Sequence, residues 1–173
     1  TVMTVEEATA YHHPHLRALA DAGADIATCL TINTIDEAVG LALAAQSAGI
    51  PDDESFTVET DGSLPSGQTL QAAIEAVDAA TGSYPDSYGI NCAHPEHFAH
   101  RLSADEEWCT RIGLIQANAS RMSHEELDNA EELDAGDPAE LGALYRELSG
   151  LLPNLTVTGG CCGTDHRHID HIG

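Results

Sequence analysis

Two segments of the sequence carry cysteines in settings suited to metal binding. Cys161 and Cys162 are neighbours in the segment GGCCGT, directly after an apolar run, and Cys92 ends the run SYGINC. The glycines let the backbone turn sharply and keep other side chains away from both sulfurs. Three sulfur donors suit Zn²⁺ and leave its fourth tetrahedral position free, as in catalytic zinc sites. We therefore predict that these three cysteines bind Zn²⁺.

An incoming thiol could occupy that fourth position. Coordination to a metal deprotonates a thiol, which yields a nucleophile at neutral pH, and an electrophilic methyl group is a plausible target for it. A thiol redox function of Cys161 and Cys162 is an alternative. It is the weaker one, because a disulfide between sequence neighbours is strained.

The remaining cysteines and several histidines have settings that favour structural roles. Cys29 lies in an apolar run and Cys109 follows Trp108, so both are predicted to pack in the core. The histidines after GGCCGT are expected to cap or solvate a terminal helix; they are His166, His168 and His171. His94 and His97 follow Cys92 closely, and their loop is expected to border the site.

Helical and strand patterns alternate along the chain. Helices are predicted over about 4–22, 34–48 and 69–80 and from 137 onward, and strands over 24–32, 55–60, 87–92, 111–119 and 154–160. Strict alternation predicts right-handed crossovers and a parallel sheet covered by helices. A doubly wound sheet and a TIM barrel both fit this order. Five strands are too few for a complete (β/α)₈ barrel.

The predicted topology brings the cysteines together. In parallel α/β folds the reactive face lies at the carboxyl ends of the strands. If the strand over 111–119 lies between the two cysteine-bearing strands, Cys92 can meet Cys161 and Cys162. Asn118 ends that middle strand and is predicted near the metal, where hydrogen bonding to the backbone or to substrate is equally plausible.

Charge is the extreme feature of the composition. The chain has 29 acidic residues, 6 arginines and no lysine, for a formal net charge of -23. Nucleic acid is excluded as a partner, because its binding rests on neutralising phosphates with cations. The sequence contains no apolar run of about 18 residues, so no membrane span is predicted. The first residues lack signal-peptide features. The chain has five cysteines, an odd number, and three of them lie in settings that favour ligation over crosslinking, so a reduced cytoplasmic protein is predicted.

Five segments, in order, resemble the homocysteine S-methyltransferase family of zinc-dependent TIM-barrel enzymes: SFTVETDGSLPSG, GINCAHP, QANAS, ELDAGDPAELG and GGCCGTDHRHI. The resemblance implies that Cys92, Cys161 and Cys162 hold Zn²⁺. It also implies methyl transfer to homocysteine, giving methionine, from a donor such as S-methylmethionine, S-adenosylmethionine, betaine or a methylated folate protein. It further implies an α/β, TIM-barrel-type fold, here an incomplete barrel of about five βα units.

Three departures from the family pattern modify this expectation. Residues 1–173 resemble only the C-terminal portion of the homocysteine-binding domain, so the sheet edges should be exposed and should favour self-association or a complementary N-terminal chain. Leu30 precedes Thr31 where many relatives have an acidic residue suited to the substrate amino group; Thr31 remains a predicted substrate-binding residue. Asp52, Asp53 and Glu54 stand where relatives are apolar. Because burying three carboxylates is costly, that strand is predicted to start at Ser55 or later, or to be frayed.

The leading hypothesis is therefore a zinc-dependent S-methyltransferase that uses a small-molecule thiol and a methyl donor. The main alternative is a non-catalytic zinc-binding module, or one half of a split barrel that needs a partner chain.

Overall fold

Helices and strands alternate throughout the computed structural model, which describes residues 2–173. The elements are α1 (Val5–Asp21), β1 (Ala27–Ile32), α2 (Ile35–Ala48), β2 (Asp52–Phe56), α3 (Leu70–Thr81), β3 (Ser87–Asn91), α4 (Pro95–Phe98), β4 (Ile112–Ala117), α5 (His124–Asp128), α6 (Pro138–Leu151), β5 (Val157–Gly160) and α7 (His166–Ile172). Two short 3₁₀ turns, Ala99–Arg101 and Glu107–Arg111, join α4 to β4.

The longer helices begin at the residues whose side chains can cap them. Thr4 and Glu7 form a reciprocal capping box at α1, and the Thr34 and Thr69 hydroxyls accept backbone N–H groups at α2 and α3. Both α2 and α3 end at a glycine in the left-handed conformation. None of the helices within residues 2–173 combines the length and apolar character needed to cross a membrane.

The five strands form one parallel sheet in the order β1-β2-β3-β4-β5. A sequential order means that every crossover advances in the same direction, which puts all the crossover helices on one face of the sheet. A doubly wound sheet would reverse direction and cover both faces. The sheet is thus an arc of a barrel wall, and the prediction of a TIM-barrel-type fold with about five βα units is confirmed.

The core lies between this sheet and its helices. Large side chains from both layers are buried there, among them Leu16, Ile50, Phe56, Ile74, Ile90, Ile115 and Leu148. The scarcity of aromatic residues is offset by close helix packing: a Cβ on Gly40 would collide with Ala8, so α1 and α2 approach each other closely at that point.

Both outer strands leave apolar side chains in solvent. Within residues 2–173, β1 pairs only with β2, and β5 pairs only with β4. Leu30 on β1 is 48% exposed and Val157 on β5 is 46% exposed. Open edges and apolar surface of this kind favour association with further strands.

The prediction that β2 starts at Ser55 or later is wrong, because the strand is regular from Asp52. It lies between β1 and β3, and it pairs with both: Asp52 is opposite Ala27 and Asp53 is opposite Ser87. The backbone hydrogen bonds on both sides hold residues 52–54 in the sheet although Asp52 and Glu54 are fully buried. Asp53, whose side chain points the other way, accepts a hydrogen bond from the Ser87 hydroxyl at 2.7 Å.

Candidate metal and substrate site

The three predicted cysteines meet at the carboxyl ends of the strands. Cys92 follows β3, and Cys161 and Cys162 follow β5, with β4 between the two strands, which is the condition that the predicted meeting of the cysteines requires. Their Sγ atoms all lie within 4.8 Å of one another. The Cys92 and Cys161 sulfurs are in direct contact, as in a disulfide pair, and those of Cys161 and Cys162 are 4.0 Å apart. The contact therefore joins the two loops and not the vicinal pair.

The donor set fits Zn²⁺. Two sulfurs bound to one tetrahedral zinc lie about 3.8 Å apart, given a Zn–S distance of about 2.3 Å, and the Cys161–Cys162 separation is close to this value. Cys92 and Cys161 could act as separate ligands only as reduced thiols. Among residues 2–173 this trio is the one group of three or more cysteine, histidine or acidic side chains that could hold a metal ion.

Backbone geometry at the two loops is specialised. Cys92 has φ of 54°, a left-handed conformation that is uncommon outside glycine. Its N–H donates to the Gln116 carbonyl at 3.0 Å, and the Cys161 N–H donates to the Ala117 carbonyl at 2.8 Å. Gly163 has φ of 82°, and a side chain there would collide with the Asp134 carbonyl. The glycine in the second loop is therefore required by close approach, in agreement with the sequence analysis.

Asn118 connects the two cysteine loops. Its Nδ2 donates to the Cys92 carbonyl at 2.9 Å, and its Oδ1 accepts the Cys162 N–H at 3.1 Å. The side chain is buried, and it also borders a cavity next to Cys92 and Cys162. Backbone bonding, one of the two roles expected for Asn118, is thus present. A role in substrate binding stays a prediction.

Thr31, the other predicted substrate-binding residue, lies on β1, which β2 and β3 separate from β4 and the Asn118 that follows it. It has φ of 64°, which is unusual for a β-branched residue. Its N–H donates to Asn91 Oδ1 at 2.9 Å, and its Oγ1 accepts from Asn91 Nδ2 at 2.7 Å. Strained residues of this kind cluster at functional sites. Substrate contact by Thr31 stays a prediction.

Two residues that support the site were missed in the sequence analysis. Asn91 holds Thr31 in place, and its position as a polar residue in a buried strand directly before Cys92 was the available signal. Tyr145 on α6 accepts the Ala117 N–H and donates to the Gly159 carbonyl at 2.6 Å, so it joins β4 to β5 beneath the second cysteine loop. Burial raises the pKa of the Tyr145 hydroxyl to about 12, which keeps it a donor.

Two cavities lie beside the cysteines. One, of about 300 Å³, is bordered by Cys92, Cys162, Asn118 and the segment around α5. The other, of about 320 Å³, is bordered by Cys92, Thr31 and Glu59. Volumes of this size fit small-molecule ligands.

His124, also missed in the sequence analysis, borders both cavities. Its Nε2 lies 3.1 Å from the Val58 carbonyl and 3.2 Å from Thr57 Oγ1, which attaches the start of α5 to the segment after β2. The signal was the capping box of Ser123 and Glu126, which marks a helix start just beyond the QANAS segment.

The other histidines lie outside these cavities. His168 is buried at the start of α7, where its Nδ1 accepts the Asp165 N–H at 3.0 Å, so the capping role predicted for this group is confirmed for His168. His94 caps α4, and burial lowers its pKa to about 4. His97 donates to the Arg121 carbonyl at 2.9 Å. Neither His94 nor His97 lines the two cavities, although both follow Cys92 closely, one at the start of α4 and the other within it.

Cys29 and Cys109 are separate from the trio and pack against the core, as predicted. Cys109 is fully buried, and Cys29 is partly buried. Burial, together with the charge of Glu54, raises the pKa of the Cys29 thiol to about 12. This thiol therefore stays protonated and unreactive at neutral pH.

Solved structures share this architecture. The chain aligns with the homocysteine methyltransferase MmuM from Escherichia coli in its apo form with a TM-score of 0.73 and 23% identity, over 99% of this chain and 57% of that one. For the metallated form the TM-score is 0.70 and the identity 21%, over 99% of this chain and 52% of that one. These likenesses show the fold.

Sequence comparison indicates the family. The methionine synthases of Mycobacterium tuberculosis (strain ATCC 25618 / H37Rv) and Mycobacterium leprae (strain TN) are each 30% identical over 167 residues, covering 88% of this chain and 13% of theirs. The chain thus spans a small part of these relatives and just over half of the structural ones. A family model described as homocysteine S-methyltransferase matches residues 1–173. By this match over its whole length, the chain belongs to the homocysteine S-methyltransferase family.

Proposed function

We propose that this chain carries the metal and acceptor site of a zinc-dependent S-methyltransferase, in which Cys92, Cys161 and Cys162 hold Zn²⁺ and homocysteine or a similar thiol is methylated. The observation that carries the proposal is the convergence of three sulfurs at the carboxyl ends of β3 and β5, with cavities next to them. Zinc bound there would supply Lewis acidity that favours the thiolate form of the acceptor.

The protein's own residues would position the reactants. Asn118 fixes the two cysteine loops relative to each other, and Asn91 fixes Thr31 at the border of the neighbouring cavity. In the transfer step the acceptor sulfur uses an electron pair to form a bond to the methyl carbon. The donor departs with the electrons of its former bond to that carbon, and the acceptor's thiol proton goes to solvent.

Completion of the barrel is the second part of the proposal. The open edges of β1 and β5 and the exposed apolar side chains of Leu30 and Val157 on these strands support the idea that further βα units, from a complementary N-terminal chain or a second copy, cover them in the active assembly. Residues 1–173 would then be the C-terminal portion of the homocysteine-binding domain. Without such units the chain would be a zinc-binding module that lacks turnover.

Zinc content under reducing conditions tests the metal site. The reduced chain should contain about one zinc per molecule by elemental analysis, because sulfur donors select this metal. Cys92→Ser should lose most of the zinc, since it removes one of three ligands. Cys29→Ser is the matched control and should keep full zinc, because Cys29 lies outside the site. Full zinc content in Cys92→Ser would contradict the proposal.

Transfer of a radiolabelled methyl group to homocysteine, measured with several donors, tests the activity. The assay is run on this chain alone and together with a chain supplying the missing βα units. Methionine formed only in the mixture would support the split barrel, and methionine formed by this chain alone would contradict it. Stoichiometric zinc without methionine in any mixture would favour the non-catalytic module.

A further inference from the structure

The two cavities beside the cysteines share one acidic residue. Cys92, His124 and Asp128 border both cavities, so Asp128 lies at their junction, close to the site proposed for the acceptor sulfur. His124 ties the first residue of α5 to the segment after β2, and Asp128 is four residues later on the same helix. Residues four apart lie on one face of a helix, so the attachment of His124 holds Asp128 against the cavities.

The charges around the two cavities have one sign. Four acidic residues line them, Glu59, Asp128, Glu131 and Glu132, and no arginine does. Within residues 2–173, the salt bridges between arginine and carboxylate groups involve other acids: Asp21, Asp78, Glu96, Glu140 and Asp165. Glu59 and Asp128 are therefore available for a ligand.

Two other cavities of the molecule are lined differently. The two cavities around Trp108 each include an arginine, Arg111 in one and Arg101 in the other. The cavities beside the cysteines differ in having carboxylates without a balancing cation. Such a surface attracts a positively charged group and repels an anionic one.

We propose that Asp128, assisted by Glu59, binds the positively charged amino group of the acceptor and so selects amino-acid thiols over thiols without an amino group. This inference rests on the proposed function, because it assumes that the acceptor sulfur lies next to Cys92. A charge-assisted hydrogen bond from an ammonium group to a carboxylate is among the stronger polar contacts. Asp128 is thus a specificity-determining residue.

Binding of two thiols by the reduced, zinc-loaded chain tests this role. Homocysteine and 4-mercaptobutanoic acid differ only in the amino group, and their affinities are measured by calorimetry. Homocysteine should bind about tenfold more tightly, the effect of one hydrogen bond between charged groups. Asp128→Asn should remove most of this preference by weakening homocysteine alone, and Glu59→Gln should have a smaller effect in the same direction.

Glu125→Gln is the matched control, since Glu125 is an exposed acid on the same helix and lines neither cavity; it should keep the preference. Equal affinity of the wild-type chain for both thiols, or equal weakening of both by Asp128→Asn, would overturn the role of Asp128 and leave the proposed function standing. Failure of both thiols to bind the zinc-loaded chain would overturn both proposals.

Discussion

The carboxyl ends of β3 to β5 and the interior of β2 both bury polar side chains, but they satisfy them differently. Asn91, Asn118 and Tyr145 are buried beside the cysteine loops, and each has hydrogen-bond partners on neighbouring strands or loops. On β2, both carboxylate oxygens of Asp52 and of Glu54 are buried without a hydrogen-bond partner. The first arrangement stabilises a specific geometry, whereas the second costs free energy of folding.

The difference also appears in protonation. Burial, together with the charges of the neighbouring acids Asp53 and Asp86, raises the pKa of Asp52 to about 7. Burial and the charge of Asp52 raise the pKa of Glu54 well above its usual range. The strand therefore tolerates these side chains as neutral acids. The polar side chains buried beside the cysteine loops are amides and a phenol. These groups are already uncharged at neutral pH, so their burial needs no change of protonation.

The largest effect that distinguishes the two regions should be the pH dependence of stability. Unfolding releases the proton of Asp52 at any pH above its ordinary pKa of 3.8 and below about 7. At this residue the unfolded state then binds one proton fewer than the folded state, so the contribution of Asp52 to stability falls as pH rises through this window, by about 1.4 kcal/mol per pH unit. Urea unfolding at pH 5, 6 and 7 measures it.

Asp52→Asn is the control for this profile. It removes the titrating group, and the slope between pH 5 and 7 should become shallower by about one proton's contribution. A slope between pH 5 and 7 that is the same in Asp52→Asn as in the wild type would contradict the assignment of a neutral, buried carboxylic acid to Asp52.

An intermediate effect is expected from replacing the buried acid on β2. Glu54→Leu puts an apolar side chain where an unpartnered carboxyl group is buried, and the gain at pH 7 should be about 1–3 kcal/mol. The free energy of unfolding in urea measures the gain. Glu75→Leu, at an exposed position on α3, is the comparison and should change stability by less than about 0.5 kcal/mol. Destabilisation by Glu54→Leu would mean that the carboxyl group has a partner.

The third effect concerns zinc binding and should change the stability of the fold least. It comes from Asn118, which connects the two cysteine loops. Asn118→Ala removes the hydrogen bonds to the Cys92 carbonyl and the Cys162 N–H, so we expect zinc affinity to fall by about 10–100-fold. Competition with a chelator measures this affinity. Asn129→Ala, which alters an exposed amide at the end of α5, should leave it unchanged. Unaltered zinc binding in Asn118→Ala would show that the loops keep their geometry without these hydrogen bonds.

The alternation of helices and strands was determined locally. Thr4 with Glu7, Thr34 and Thr69 start helices through contacts within a few residues, and apolar runs mark most strands. The cysteine trio could be predicted for a related reason. Once the strands are parallel and β4 lies between β3 and β5, residues that follow β3 and β5 must approach each other at one end of the sheet.

Only the tertiary structure decided where β2 begins and what holds the cysteine loops. The cost of burying Asp52 and Glu54 predicts a later strand start, but hydrogen bonding to both β1 and β3, with the acids neutral, keeps these residues in the sheet. The partners of Asn118 and Asn91 lie 26 to 60 residues away in sequence. Local patterns cannot determine such contacts, because they depend on strand register and on the environment that packing creates around each side chain.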